Sequence, residues 1–163
     1  MSGVRILTRP VTPGDRDFLV ATYASTRAEE LKATDWTDEQ KAQFCQLQFD
    51  AQDAHYRLHY PSAVYLVIEA AGVPAGRLYV DRWPREIRVM DIALLPSHRG
   101  LGIGTHLLRQ LIDEAKLSAK LLSIHVERLN PALNLYQRLG FRLAEDKGVY
   151  LLLEWRPEAF QVG

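Results

Sequence analysis

The stretch from residue 86 to residue 127 constrains this chain more than any other. It opens with an apolar run, EIRVMDIALL, and passes through LLPSHRGLGIGTHLL. Ile103, Leu107, Leu108, Leu111, Ile112 and Ala115 follow at helical spacing, and a second apolar run, LLSIHVE, closes it. Strand, helix and strand with so short a return predict a right-handed parallel crossover, because a right-twisted strand feeding a right-handed helix packs back onto its sheet in that hand. Where the first strand gives way to the helix stand three glycines at every second position, Gly100, Gly102 and Gly104, just after Arg99. Each glycine costs conformational entropy, and a turn with one left-handed residue would use only one. The spacing predicts that something comes very close to this backbone.

The rest of the chain supplies the sheet that the crossover joins. VRILTRPV reads as a short first strand, and Thr12 or Asp15 caps a helix that turns Phe18, Leu19 and Tyr23 inward. TDEQ at 37–40 has capping-box spacing, and Phe44, Leu47, Ala51, Ala54 and Leu58 then mark the apolar face of a second helix, ended by Pro61. AVYLVIEA and GRLYVDRW, joined by AGVP, predict a hairpin, and EIRVMDIALL makes a third antiparallel strand. PALNLYQRLGF predicts a short helix with Gly140 just past its end. GVYLLLEW is a last strand whose exposed edge would suit pairing with a second copy. Only the residues after EWRP read as a loose tail. The expected fold is α+β: a mixed six- to seven-stranded sheet, antiparallel in its first half and parallel at the crossover, with about four helices.

Composition bounds the function. The 163 residues, 47% of them hydrophobic, suffice for a single domain over 1–163 with a core of its own. Twenty lysines and arginines balance twenty aspartates and glutamates, so no general attraction to nucleic acid or an anionic membrane is expected, and any anion site has to be local. The single cysteine, Cys45, rules out an intramolecular disulfide, suits a cytoplasmic setting and reads as a half-buried thiol. No stretch reaches the roughly 18 unbroken apolar residues of a spanning helix, so neither membrane nor nucleic acid is an expected partner. A monomer or a homodimer is expected.

A helix N-terminus behind small residues offers unpaired backbone N–H groups and the positive end of the helix dipole, which together hold phosphate. A dinucleotide fingerprint is excluded by spacing: Gly100 and Gly102 are followed at the third place by Thr105, and the acidic ribose partner is missing where the chain reads KLLSI. A P-loop is excluded because no Gly-Lys-Ser/Thr triplet occurs. What remains is Arg-x-x-Gly-x-Gly at 99–104, or a glycine-rich turn with no ligand.

That loop, with NPALNLYQRLGF at 130–141 after the expected helix and strand, resembles the Gcn5-related N-acetyltransferase (GNAT) superfamily over residues 87–141. The resemblance implies that Arg99, Gly100, Leu101, Gly102, Ile103, Gly104 and Thr105 wrap the pyrophosphate of acetyl-coenzyme A, used as co-substrate without a metal. It implies that the backbone of Ile92, Ala93 and Leu94 holds the pantetheine arm, with an N–H there on the thioester carbonyl oxygen. Tyr136 falls on the tyrosine that serves the departing thiolate as general acid; packing alone is its other reading. Asn130 resembles the cofactor-contacting asparagine, though it stands six residues before Tyr136 where the usual form has seven, and Asn130-Pro131 equally reads as a helix start. His125 falls where some members carry a glutamate as base. Glu127 on the same face and Asp91 on the preceding strand are further candidates. The function so implied is direct acetyl transfer, through a ternary complex, to a primary amine on a small molecule or peptide. The alternative is an acyl-coenzyme A sensor or partner module without turnover.

Overall fold

The computed structural model describes residues 4–158. The tail expected after Pro157 lies, from Ala159 on, outside the described residues. The chain runs β1 (Ile6–Pro10), a 3-10 turn (Pro13–Asp15), α1 (Arg16–Lys32), α2 (Asp38–His59), β2 (Val64–Ala70), β3 (Val73–Arg82) and β4 (Glu86–Leu94). A second 3-10 turn (Pro96–His98) leads to α3 (Ile103–Ser118), β5 (Leu121–Glu127), α4 (Leu133–Arg138), β6 (Arg142–Asp146) and β7 (Tyr150–Trp155). The seven strands form one mixed sheet in the order β1-β2-β3-β4-β5-β7-β6. β4 and β5 pair in parallel, from Glu86↔Leu121 to Val89↔Ile124, as the crossover requires. Among the described residues no helix is long and apolar enough to cross a membrane.

The described residues fall into two compact units, one drawn from residues 4–78 and 92–101, the other from residues 79–91 and 102–158. The core of the first joins Leu19, Tyr23 and Leu31 of α1 to Cys45 and Phe49 of α2. Asp15 organises its entry. The carboxylate accepts from the Thr12 N–H at 2.7 Å and from two Arg9 nitrogens at 2.9 Å each, and those bonds hold its carboxyl well below the usual range. The capping box at Thr37 forms as expected: its hydroxyl accepts from the Gln40 N–H at 3.1 Å and the Gln40 amide oxygen from the Thr37 N–H at 2.9 Å.

Which face α2 buries is a correction. Cys45 and Phe49 are inside, whereas Leu47 and Leu58 are 69% and 75% exposed, and Ala51 and Ala54 are exposed with them. Of the expected face only Phe44 packs against that core, and the helix turns Cys45 and Phe49 inward beside it, Phe49 meeting the Tyr23 ring edge-on at 6.4 Å. Cys45 is fully buried rather than half-buried, and burial raises its thiol pKa.

The second unit packs α3 on β5, and Ile103, Leu107, Leu108, Leu111, Ile112 and Ala115 are all buried, as their spacing predicted. Two strand expectations change. The β2–β3 turn is the two-residue Ala71-Gly72, both at positive φ, rather than AGVP, a mirror-image turn that matches the twist of a hairpin. β6 was not legible, since RLAED is exposed throughout and carries no alternation. It covers β7, which is hydrogen-bonded on both sides, so the final strand offers no edge to a second copy; the sheet edges are β1 and β6.

Candidate active site

In the first unit, Ile92, Ala93 and Leu94 end β4. All three are half-buried, unlike Ile87, Val89 and Met90 earlier in the strand. The last rung of the parallel ladder from β4 to β5 is Val89↔Ile124. Gly76 holds this end in place: a Cβ there would stand 2.1 Å from the Ala93 carbonyl oxygen and 3.0 Å from the Leu94 Cα, so only glycine lets the two backbones approach. The Leu95 N–H donates to the Ala75 carbonyl at 2.8 Å beside it. Arg99 then fastens the loop to the strand end, its Nε–H donating to the Leu94 carbonyl at 3.0 Å and its Nη2 to the Ser25 hydroxyl at 3.2 Å. Gly100 follows at φ 73° and Leu101 is exposed.

In the second unit Gly102, at φ 83°, is the N-cap of α3 without any side chain to cap it. The helix ladder starts with the His106 N–H on the Gly102 carbonyl at 3.0 Å, which leaves the N–H groups of Ile103, Gly104 and Thr105 without helical partners. A Cβ built at Gly100, Gly102 or Gly104 would meet nothing within 4 Å, and the first turn holds no acidic residue. Neither packing nor a close neighbour explains Gly104, whose φ is not positive. Open space before bare N–H groups at the positive end of a 16-residue helix fits a phosphate group.

Asn130 and Tyr136 stand together around α4. The Asn130 side-chain oxygen accepts from the Ala132 N–H at 2.8 Å and its carbonyl from the Leu133 N–H at 3.2 Å, so it builds the turn before the helix. The N-cap is Ala132, two residues later than the sequence suggested, because this Asx turn inserts Pro131 ahead of the helix. Gly140 ends the helix as expected. Its N–H bonds the Gln137 carbonyl and the Phe141 N–H bonds that of Tyr136, a Schellman closure. Tyr136 is 4% exposed, lies edge-on to Phe141 at 6.0 Å, and has its phenol pKa pushed up to about 12 by burial and by the charge of Asp91. Its hydroxyl makes no hydrogen bond among the described residues.

His125 sits in a charged cluster that sequence reasoning missed. Arg88, opposite Ser123 across the parallel ladder, donates to the Ser123 hydroxyl at 2.7 Å and to the Glu86 carboxylate at 2.8 and 3.1 Å, while Ser123 also donates to Glu86. Arg88 Nη1 is 3.4 Å from His125 Nδ1, and Lys147 Nζ, carried in by the β6–β7 turn, is 3.1 Å from Nε2. Desolvation first, then these two cations, lower the imidazole pKa to about 4, so His125 is neutral at physiological pH. Glu127 is half-buried at the end of β5, its carbonyl accepting from the Asn130 N–H at 3.0 Å. The alternation Ser123-His125-Glu127 was visible in the sequence, but the partners come from one other strand, β4, and a turn.

The profile of the acetyltransferase (GNAT) family matches residues 26–141, and the chain belongs to that family. Streptothricin acetyltransferase of Streptomyces lavendulae is 36% identical over 84 residues, which cover 49% of this chain and 44% of that one. The chain spans about half the length of the curated relatives it matches. The crystal structure of PaiA N-acetyltransferase from Thermoplasma acidophilum in complex with coenzyme A shares the fold, with a TM-score of 0.70 at 14% identity, over 93% of this chain and 99% of that one. So does the ribosomal-protein-S18-alanine N-acetyltransferase of Escherichia coli, with a TM-score of 0.60 at 20% identity, over 93% and 94%.

Proposed function

We propose that residues 1–163 act as one N-acetyltransferase domain that moves the acetyl group of acetyl-coenzyme A directly to a primary amine on a small molecule or peptide. The observation that carries this is the bare, acid-free N-terminus of α3, with a glycine in its first turn, Gly104, that neither backbone conformation nor packing requires. Acetyl-coenzyme A supplies an activated thioester. Gly102, Ile103, Gly104 and Thr105 offer backbone N–H groups to its pyrophosphate, and Arg99, fixed to Leu94 and Ser25, sets the entry of Gly100 and Leu101 into that loop. Ile92, Ala93 and Leu94 offer strand groups to the pantetheine arm, one N–H polarising the thioester carbonyl. Asn130 keeps its amide NH2 for the coenzyme while its oxygen holds the α4 turn.

The amine nitrogen forms a bond to the carbonyl carbon, the carbon–sulfur bond breaks, the amine proton passes to a base and the thiolate leaves. Tyr136 assists that departure. With its pKa near 12 against about 8.5 for a thiol, complete proton transfer would be uphill by about 5 kcal/mol, so the phenol stabilises the thiolate as a hydrogen-bond donor and solvent delivers the proton later. For the base, Glu127 has the better claim and His125 the weaker, because each ring nitrogen of His125 already faces a cationic donor, Arg88 or Lys147.

The test is thiol release from acetyl-coenzyme A against a panel of primary amines, beside a thermal-shift titration with acetyl-coenzyme A, coenzyme A and NAD. Turnover with one amine class, and a midpoint rise with the two coenzyme A species alone, is the expected result. Binding without turnover would make the protein a sensor, and no binding would reduce the loop to a bare turn.

A further inference from the structure

A second charged concavity lies in the unit that holds α3, and the acetyl-transfer reading does not use it. Arg109, Ile112, Asp113 and Lys116 of α3, Arg138 of α4 and Trp155 of β7 line a pocket of about 250 Å³. Three cations face one carboxylate there. None of the four charged side chains makes a hydrogen bond or ion pair among the described residues, whereas Arg82, Arg88 and Arg128 of the same unit each hold a carboxylate. An excess of positive charge around a concave wall raises the local concentration of anions. The lining is mostly polar, and the flat group in it is the Trp155 indole, half-buried against Gly140, where a Cβ would come within 3.1 Å of its ring, with Ile112 buried beneath. Helix rise puts the centre of the pocket roughly 14 Å down α3 from the N–H groups of Ile103 to Thr105.

We propose that this pocket is a second anion site, independent of the coenzyme loop, for a phosphate monoester carried on a flat apolar body. Arg109, Lys116 and Arg138 meet the dianion, Ile112 and Trp155 the ring, and Asp113 accepts from a donor on its edge.

The experiment is isothermal titration of the full chain with 1-naphthyl phosphate, and with uncharged 1-naphthol as control. It is run on the native protein and on Lys116→Ala/Arg138→Ala, with and without saturating acetyl-coenzyme A. Both substitutions remove exposed side chains, and thermal midpoints check that the fold persists. The expected result is binding of the phosphate in clear preference to the naphthol, an affinity at least about tenfold lower in the double variant, a further fall as salt is raised, and no change with acetyl-coenzyme A present. Equal binding of phosphate and naphthol, an unchanged double variant, or displacement by acetyl-coenzyme A would overturn the proposal. A protein that binds the naphthyl phosphate but gives no heat with acetyl-coenzyme A would sink the functional reading and leave this one standing.

Discussion

Lys147 Nζ stands 3.1 Å from His125 Nε2, so a cation faces the ring from the β6–β7 turn. Arg88 Nη1 stands 3.4 Å from Nδ1, and ammonium and guanidinium both only donate, so the single lone pair of a neutral ring serves one of them and a doubly protonated ring serves neither. That arrangement favours a neutral ring and disfavours an imidazolium. The folded pKa, about 4, lies below the unfolded value near 6.5. Native stability from this group is therefore complete above about pH 6.5 and is lost as pH falls toward 4. An NMR titration of the ring protons should give no midpoint near 6.5 in the native protein, and Lys147→Met should raise the midpoint toward that value. A midpoint near 6.5 in the native protein would contradict this picture of the cluster.

Tyr136→Phe keeps the buried ring and the Phe141 contact and removes only the hydroxyl. Loss of a donor that acts on the leaving thiolate should lower kcat by about a hundredfold or more, with the acetyl-coenzyme A KM within a few-fold. A full-rate Tyr136→Phe would assign the residue to packing.

Glu86→Gln leaves the Arg88 guanidinium, 12% exposed at its side chain, without its carboxylate. Removing one partner of a largely buried pair should destabilise by about 2–3 kcal/mol, and Ser123→Ala by about 1. Urea titrations of both variants measure the order, and equal losses would show that the serine, not the ion pair, holds the cluster.

Gly76→Ala forces a methyl group onto the Ala93 carbonyl oxygen, a clash with backbone that no rotamer relieves. The expected loss is about 2 kcal/mol, seen as a drop of about 4–8 °C in Tm. A midpoint within a degree of the native protein would mean that the end of β4 is free to shift.

The sequence revealed what depends on local chemistry. The capping box at Thr37, the buried stripe of α3, the Gly140 closure and the crossover from β4 to β5 each leave a signature within a few residues, and each formed as expected. What failed depended on distant partners. The inward face of α2 follows the core around Tyr23 rather than the leucine spacing. The edge strand β6 needs no alternation because both its faces meet solvent. Of the site, the glycine loop, Asn130 and Tyr136 could be named from motif spacing, whereas the cations around His125 arrive from Arg88 and Lys147, 37 and 22 residues away. Gly76 did leave a signal, a lone glycine inside a β-branched strand, which marks a close backbone approach.

The central claim is that the N-terminus of α3 holds a phosphate and that Gly104, which the fold does not require, serves it, and Gly104→Asp tests this by setting fold and ligand against each other. A side chain there meets nothing, glycine is a poor helix former, and an acid in the first turn favours the dipole. The free protein should gain about 1 kcal/mol, a Tm rise of about 2–4 °C, while the stabilisation by acetyl-coenzyme A disappears. A fall in the midpoint of the free protein, or undiminished binding of acetyl-coenzyme A, would contradict the account.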